Sequence, residues 1–359
     1  MPNSVLGERS LERVLVTVRY RESKRQEIKS AYQGAEIIEV ANQDRAQIYK
    51  TLQTVDAALI QGVMDPNFLE SDRLKWVHCD QSGLDAYAVP EIFERGLIVT
   101  SSSGRSAHPL AEHALFFMLS FTHDAPAFAK AQRRRVWGVV GQNDLRALYG
   151  RHVAIVGYGK TGQCLAAKCR SFGMKITAYR RKDLPSRVQD VRVFSRDAGH
   201  AVRDAMDGAD FVVMTASLND ASYHLVDREA LGSLRRGAYL VNIGRALTVD
   251  QDAMIAALRS GQLSGAGLDV TATEPLPMKS PLWGMKKVII TPHVTPQMPD
   301  RAQETLSIVA RNAERFQKTE PLKNALTPED VFTGQRPSNA SRLERAFERR
   351  WRRYFGVTR

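Results

Sequence analysis

The chain has 359 residues, with Lys+Arg 51 against Asp+Glu 39 for a formal net charge of +12, and it is 43% hydrophobic and 25% charged. At roughly 100 to 200 residues per domain, this length accommodates two ordinary cores and excludes a disulfide-stapled miniprotein, while the composition excludes a largely disordered chain. Cys79, Cys164 and Cys169 form no CxxC and lack histidines at metal-ligand spacing, so neither a disulfide framework nor a metal site is expected, and a reducing, cytoplasmic compartment fits. The N-terminus is broken by charge every few residues, and the longest apolar run, 114–121, falls far short of the ~20 residues of a spanning helix, so neither a signal peptide nor a membrane span is expected. From Gly334 onward eight arginines stand against Glu344 and Glu348, so half of the +12 lies in the tail.

In chain order, apolar runs at 14–18, 35–40, 57–60, 76–79 and 97–100 alternate with polar-periodic stretches, the signature of βαβ units with a parallel sheet. Leu110, Ala114, Phe117, Met118 and Phe121 then line one face of a helix. After a polar, basic stretch, a second alternating series runs through 152–156, 175–179, 211–214, 239–243, 265–270 and 288–291. Two successive α/β units are implied. The spacing predicts a further helix over 302–316, irregular chain over 324–332 and a linker over 334–341. Leu343, Ala346, Phe347, Trp351, Tyr354 and Phe355 then recur among arginines as in a basic amphipathic helix.

The sharpest local motif begins where the strand at 152–156 runs into Gly157-Tyr158-Gly159-Lys160-Thr161-Gly162 and then into the helical pattern of Leu165, Ala166 and Cys169. Glycines there permit a tight turn and close approach of backbone to a pyrophosphate, and the helix N-terminus offers N–H groups and dipole to the anion. The next strand ends in Tyr179-Arg180-Arg181-Lys182, where an NAD-binding unit usually carries Asp or Glu for the ribose 2′-hydroxyl. Cations at this point suit a 2′-phosphate, so NADP(H) is favoured over NAD(H). A solvated basic loop, with Asp183 turned toward a 2′-hydroxyl, is the alternative.

Three polar landmarks lie just beyond predicted strands: Asn242-Ile243-Gly244-Arg245, Asp269 to Pro275, and Thr291-Pro292-His293. In an open parallel sheet such residues converge on the crevice outside the carboxyl ends of the strands. With Ser82-Gly83-Leu84-Asp85, Ser103-Gly104 through Glu112-His113, Arg236 to Arg245 and Pro281-Leu282-Trp283-Gly284, the chain resembles the D-isomer-specific 2-hydroxyacid dehydrogenases over about residues 50 to 325.

That resemblance implies an active site of Arg245, Glu274 and His293. His293 would be the general acid that protonates the carbonyl oxygen of a 2-oxoacid, Glu274 its partner, and Arg245 the group that holds the substrate carboxylate and polarises the carbonyl. It further implies substrate contacts from Ser82 and Gly83, cofactor contacts from Ser217, Ile243 and Asp269, the last with the nicotinamide carboxamide, and a homodimer. The implied architecture is a flavodoxin-like substrate domain, 1–118 plus 298–330, into which a Rossmann domain, 119–297, is inserted, with 331–359 as a basic tail.

Glu274 separates the chain from formate dehydrogenases, which resemble it but carry Gln there, and the arginine pair is similar to glyoxylate and hydroxypyruvate reductases. The implied activity is NADPH-dependent reduction of a small 2-oxoacid to the D-2-hydroxyacid. Ala246, Ser217-Leu218-Asn219 and the proline-rich run after His293 depart from the family pattern. Two readings stay open beside it: a reductase for larger aromatic or branched 2-oxoacids, and a dinucleotide-sensing scaffold like the carboxy-terminal-binding corepressors. Nucleic acid is not an expected partner, because an arginine run carries no base-reading information by itself.

Overall fold

A computed structural model of the chain describes residues 10–334 except Val63, Pro296, Gln297 and Pro299. The predicted helix at 343–355 lies outside the described residues. The first series comprises β1 (Arg13–Val16), α1 (Arg25–Ala31), β2 (Glu36–Glu39), α2 (Arg45–Leu52), β3 (Ala57–Ile60), β4 (Trp76–Cys79), α3 (Pro90–Glu94) and β5 (Ile98–Ser101). α4 (Ala107–Thr122) and α5 (Ala125–Arg133) lead into the second: β6 (His152–Val156), α6 (Lys160–Ser171), β7 (Lys175–Arg180), β8 (Val191–Ser195), α7 (Val202–Met206) and β9 (Phe211–Met214). That series continues through α8 (Arg228–Ser233), β10 (Ala238–Asn242), α9 (Gln251–Ser260), β11 (Leu263–Leu268) and β12 (Val288–Ile290), and α10 (Arg301–Gln317) follows.

Both sheets are parallel. The first has the order β2-β1-β3-β4-β5, the flavodoxin order, and the second β12-β11-β10-β9-β6-β7-β8, a doubly wound order whose direction reverses between β6 and β9. β3, β4 and β9 are buried along their whole length, as strands covered on both faces must be.

The two units are nested. α4 leaves the first sheet and packs its Ala111, Ala114, Phe117 and Met118 into the core of the second, beside Val153, Ile155 and Leu165. Close contact there requires small residues on the strand: a Cβ on Gly267 would lie 2.5 Å from Cγ of Phe117. α10 returns the chain to the first unit, where Leu306, Val309, Ala313 and Phe316 pack with Val14 and Trp76. The Phe316 and Trp76 rings stack with centroids 5.7 Å apart. Among the described residues no helix is long and apolar enough to cross a membrane, and no group of three or more His, Cys, Asp or Glu could hold a metal ion.

Two elements differ from the sequence reading. α5 occupies part of the basic stretch after α4 and buries none of its residues, so it contributes no side chain to either core. β8 is an edge strand in which only Phe194 and Ser195 are buried, and it has no continuous apolar run.

Candidate active site

At the carboxyl end of β6 the chain turns through Gly157 at φ 101°, and a Cβ there would lie 2.3 Å from the Ala216 backbone nitrogen. Only glycine permits this approach of the β6 turn to the chain after β9. Gly162 is as tightly placed, its absent Cβ 2.3 Å from the Gly157 carbonyl oxygen. Gly159, by contrast, caps α6 with open space around its missing side chain, which leaves room for an anion at the first N–H groups of a 12-residue helix. Thr161 lies in the first turn of that helix.

A cavity of about 320 Å³ opens beside this turn, lined by Gly157, Tyr158, Gly159 and Ser217, with Arg180, Arg181, Lys182 and Arg196 at the ends of β7 and β8. The buried Tyr158 donates to or accepts from Ser186 Oγ at 2.8 Å, and the Arg180 guanidinium lies 6.0 Å from its ring centroid. Arg181 is ion-paired with Glu329 at 3.0 Å and Asp330 at 3.3 Å. Ile243 is buried in the core below the cleft. Lys160 is turned away from the turn: its Nζ donates to the Ser103 carbonyl at 3.2 Å and Asn324 Oδ1 at 3.3 Å, across the cleft on the first unit. Burial, then Arg311 and Lys323, pulls its pKa down.

His293 sits beyond β12 with left-handed backbone, φ 50°, a conformation that a non-glycine residue holds only when its surroundings fix it. Those surroundings centre on Asp269, which is 2% exposed. Its Oδ1 accepts from Thr291 Oγ1 at 2.6 Å and from the Val294 N–H at 3.1 Å, and its Oδ2 from the Thr295 N–H at 3.2 Å. The Asp269 carbonyl accepts the His293 N–H at 2.9 Å. This carboxylate, read from the sequence as a nicotinamide contact, is therefore directed at the loop that carries His293. His113 Nε2 lies 3.0 Å from Thr291 Oγ1, and burial pulls its pKa down.

On that loop, Nδ1 of His293 meets Glu274 Oε2 at 2.8 Å, while Glu274 Oε1 accepts the Thr271 N–H at 3.0 Å. The hydrogen bond to Glu274 raises the His293 pKa. Burial opposes it, the Glu274 charge adds to it, and the Arg245 charge opposes it in turn. The protonated imidazole is thereby held to higher pH than in an isolated histidine.

Arg245 follows β10 on a turn braced by Asn242, whose Oδ1 accepts the Gly244 N–H at 3.0 Å and whose amide donates to the Arg245 carbonyl at 3.2 Å. Its guanidinium crosses to the first unit, where Nε donates to Asp85 Oδ1 at 2.9 Å. There it fills the space over Gly83, whose absent Cβ would lie 1.3 Å from Nη2. Ser82 Oγ donates to the Ser102 carbonyl at 3.4 Å.

The structure thus brings Arg245, Glu274, His293, Ser82 and Gly83 to one cleft between the ends of the two sheets, with the phosphate turn and the basic cavity beside it. Asp85, Arg196, Thr215 and Asp330 are parts of this region that the sequence did not mark as site residues. Thr215, whose hydroxyl donates to the Gly157 carbonyl, and Arg196 line the cavity from strand ends with no motif around them.

The model of the family described as "D-isomer specific 2-hydroxyacid dehydrogenase, NAD binding domain" matches residues 115–295. The chain is 29% identical over 303 residues to a glyoxylate reductase of Thermococcus litoralis, covering 82% of this chain and 89% of that protein. It is 31% identical over 267 residues to a D-3-phosphoglycerate dehydrogenase of Mycobacterium tuberculosis, covering 72% of this chain and 49% of the relative. Among solved structures, a D-isomer specific 2-hydroxyacid dehydrogenase from Xanthobacter autotrophicus Py2, in complex with NADPH and MES, superposes with a TM-score of 0.75 at 27% identity over 89% of this chain and 99% of that one.

Two outcomes are expected from this geometry. Gly83→Ala displaces the Arg245 guanidinium and lowers kcat/KM of reductive turnover by about 10²-fold, with dinucleotide affinity retained; unchanged steady-state kinetics would separate Arg245 from catalysis. Glu274→Gln removes the group that raises the His293 pKa, so the alkaline limb of the reductive pH-rate profile moves to lower pH. An unmoved limb would mean that another group supplies the proton.

Proposed function

The chain belongs to the D-isomer-specific 2-hydroxyacid dehydrogenase family, a family of NAD(P)-dependent oxidoreductases acting on small 2-oxoacids and 2-hydroxyacids, and from that premise we propose that it reduces glyoxylate or hydroxypyruvate with NADPH. The observation that carries the cofactor reading is the cluster of Arg180, Arg181, Lys182 and Arg196 round one cavity, where a carboxylate would serve a 2′-hydroxyl. Asp183, the nearest acid in sequence, accepts from Ser195 Oγ at 3.2 Å. The glyoxylate reductase of Thermococcus litoralis and the NADPH-bound structure from Xanthobacter autotrophicus support the same direction.

The residues fit the cofactor: the open space at Gly159 and the α6 N-terminus receive the pyrophosphate, and the basic cavity receives the 2′-phosphate. When bound, the nicotinamide supplies the hydride. Arg245 pairs with the substrate carboxylate and polarises the carbonyl, with Asp85 steadying the guanidinium from the far side. Backbone N–H groups of the Ser82–Gly83 loop complete that anion site. His293, bonded to Glu274 through Nδ1, has Nε2 left to give its proton to the carbonyl oxygen, and the Glu274 carboxylate stabilises the imidazolium until that transfer.

The test is the consumption of NADPH and NADH with glyoxylate, hydroxypyruvate, pyruvate, phenylpyruvate and 2-oxoisocaproate, for the wild type and His293→Ala. Turnover is expected with NADPH on the first two, and a loss of roughly 10²- to 10⁴-fold in the variant. Faster turnover of the larger acids would reassign the substrate, and tight dinucleotide binding without turnover would favour the scaffold.

The chain also pairs as a homodimer in this reading, through the segment between α5 and β6, where Val136, Trp137, Val140 and Tyr149 are exposed large hydrophobics. Trp137→Asp is expected to yield monomers in sedimentation velocity. A wild type that is itself monomeric would remove the proposal.

A further inference from the structure

We propose that Glu329 and Asp330, in the segment after α10, set the dinucleotide preference by neutralising Arg181 at the phosphate end of the cofactor cavity. The inference rests on the reading that these cations receive the 2′-phosphate, and it identifies the groups that oppose it. After α10 the chain runs beside the first sheet, where the Ser101 N–H donates to the Asn324 carbonyl at 3.1 Å and the Leu326 N–H to the Val99 carbonyl at 2.8 Å. It then crosses to the second unit. There the Asp220 N–H donates to the Val331 carbonyl at 3.0 Å, and the Thr333 N–H to Asp220 Oδ1 at 2.7 Å.

Between these anchors the two carboxylates meet one guanidinium: Glu329 Oε2 lies 3.0 Å from Arg181 Nε, and Asp330 Oδ1 3.3 Å from Nη1. Nη1 also donates to the Glu329 carbonyl at 3.4 Å. Asp330 lines the same cavity as Arg180, Lys182 and Arg196.

The anchors lie on backbone and on Asp220, and the Thr327 N–H and hydroxyl hold the Asp330 carboxylate at the cavity independently of Arg181, while Glu329 reaches the guanidinium from beside it. A 2′-phosphate therefore arrives at a guanidinium already shared by two anions, and feels their charge as well. A 2′-hydroxyl carries no charge, is repelled by neither carboxylate, and can donate a hydrogen bond to one. The acidic pair thus penalises NADPH and not NADH, which narrows the preference that four cations alone would give. Glu329 is more than half exposed, and solvent limits the size of the effect.

The test is the Kd of NADPH and of NADH, titrated separately against the full chain, for the wild type and Glu329→Gln/Asp330→Asn. The double variant is expected to bind NADPH about tenfold tighter with NADH within about twofold. Asp330 also accepts the Thr327 N–H of its own turn at 2.9 Å, so Glu329→Gln alone, which leaves that turn intact, serves as the second variant and is expected to tighten NADPH by about threefold. Weaker NADPH binding, or equal shifts for the two dinucleotides, overturns the inference and makes the segment a brace for Arg181 or for the fold. A wild type that binds neither dinucleotide removes the cofactor reading and this inference with it, whereas NADPH-dependent turnover without a selective shift removes this inference alone.

Discussion

The carboxylate of Asp269 is buried at the end of β11, and a buried charge is tolerable only where donors surround it. Its donors are a threonine hydroxyl and two backbone N–H groups of the loop after β12, and its own N–H is bonded to the Asn242 carbonyl at 3.0 Å. One residue therefore ties together the turn that carries Arg245 and the loop that carries His293. The left-handed backbone of His293, its bond to Glu274 and the resulting upward shift of its pKa all follow from that loop being held in one shape. A buried anion unpaired by loss of these donors costs more than any one bond contributes, which makes the arrangement all-or-none.

The cleft is spanned by a different kind of contact. Arg245 to Asp85 and Lys160 to Asn324 join the two units, and the side chains involved are partly exposed. Partly exposed pairs of this kind contribute on the order of 1 kcal/mol or less. Such contacts bias the two units toward one another without locking them, which suits a site that must admit a dinucleotide and an oxoacid and then exclude water. Among the described residues the chain passes between the units where α4 leaves, where α10 returns and where the segment after α10 crosses to Asp220.

Much of this was legible in the sequence, for identifiable reasons. Fully buried parallel strands are continuous apolar runs, so β3, β4 and β9 read directly, and the glycine turn announced itself because three positions tolerate no side chain or need open space. The exposed α5 and the edge strand β8 lacked that signal. The direction of a polar side chain was harder still. Lys160 sits in the glycine motif but bonds Asn324, 164 residues further on, and Arg181 meets Glu329 and Asp330 about as far away. Asp269 was visible as a strand-end acid, yet nothing local said that its oxygens face the chain of its own site.

The nesting of one unit within the other also orders events in time. A ribosome has completed every strand of the inserted sheet by Ile290, while the outer sheet still waits for α10, whose Leu306, Val309 and Phe316 close its core. The inner unit can therefore reach its native packing first, with α4 already threaded into it, and the outer sheet, whose five strands were made earliest, is the last to be sealed. Until then its apolar face around Trp76 is open to solvent and to other chains. That exposed interval lasts until α10 has been made, and it falls on the half that was made first.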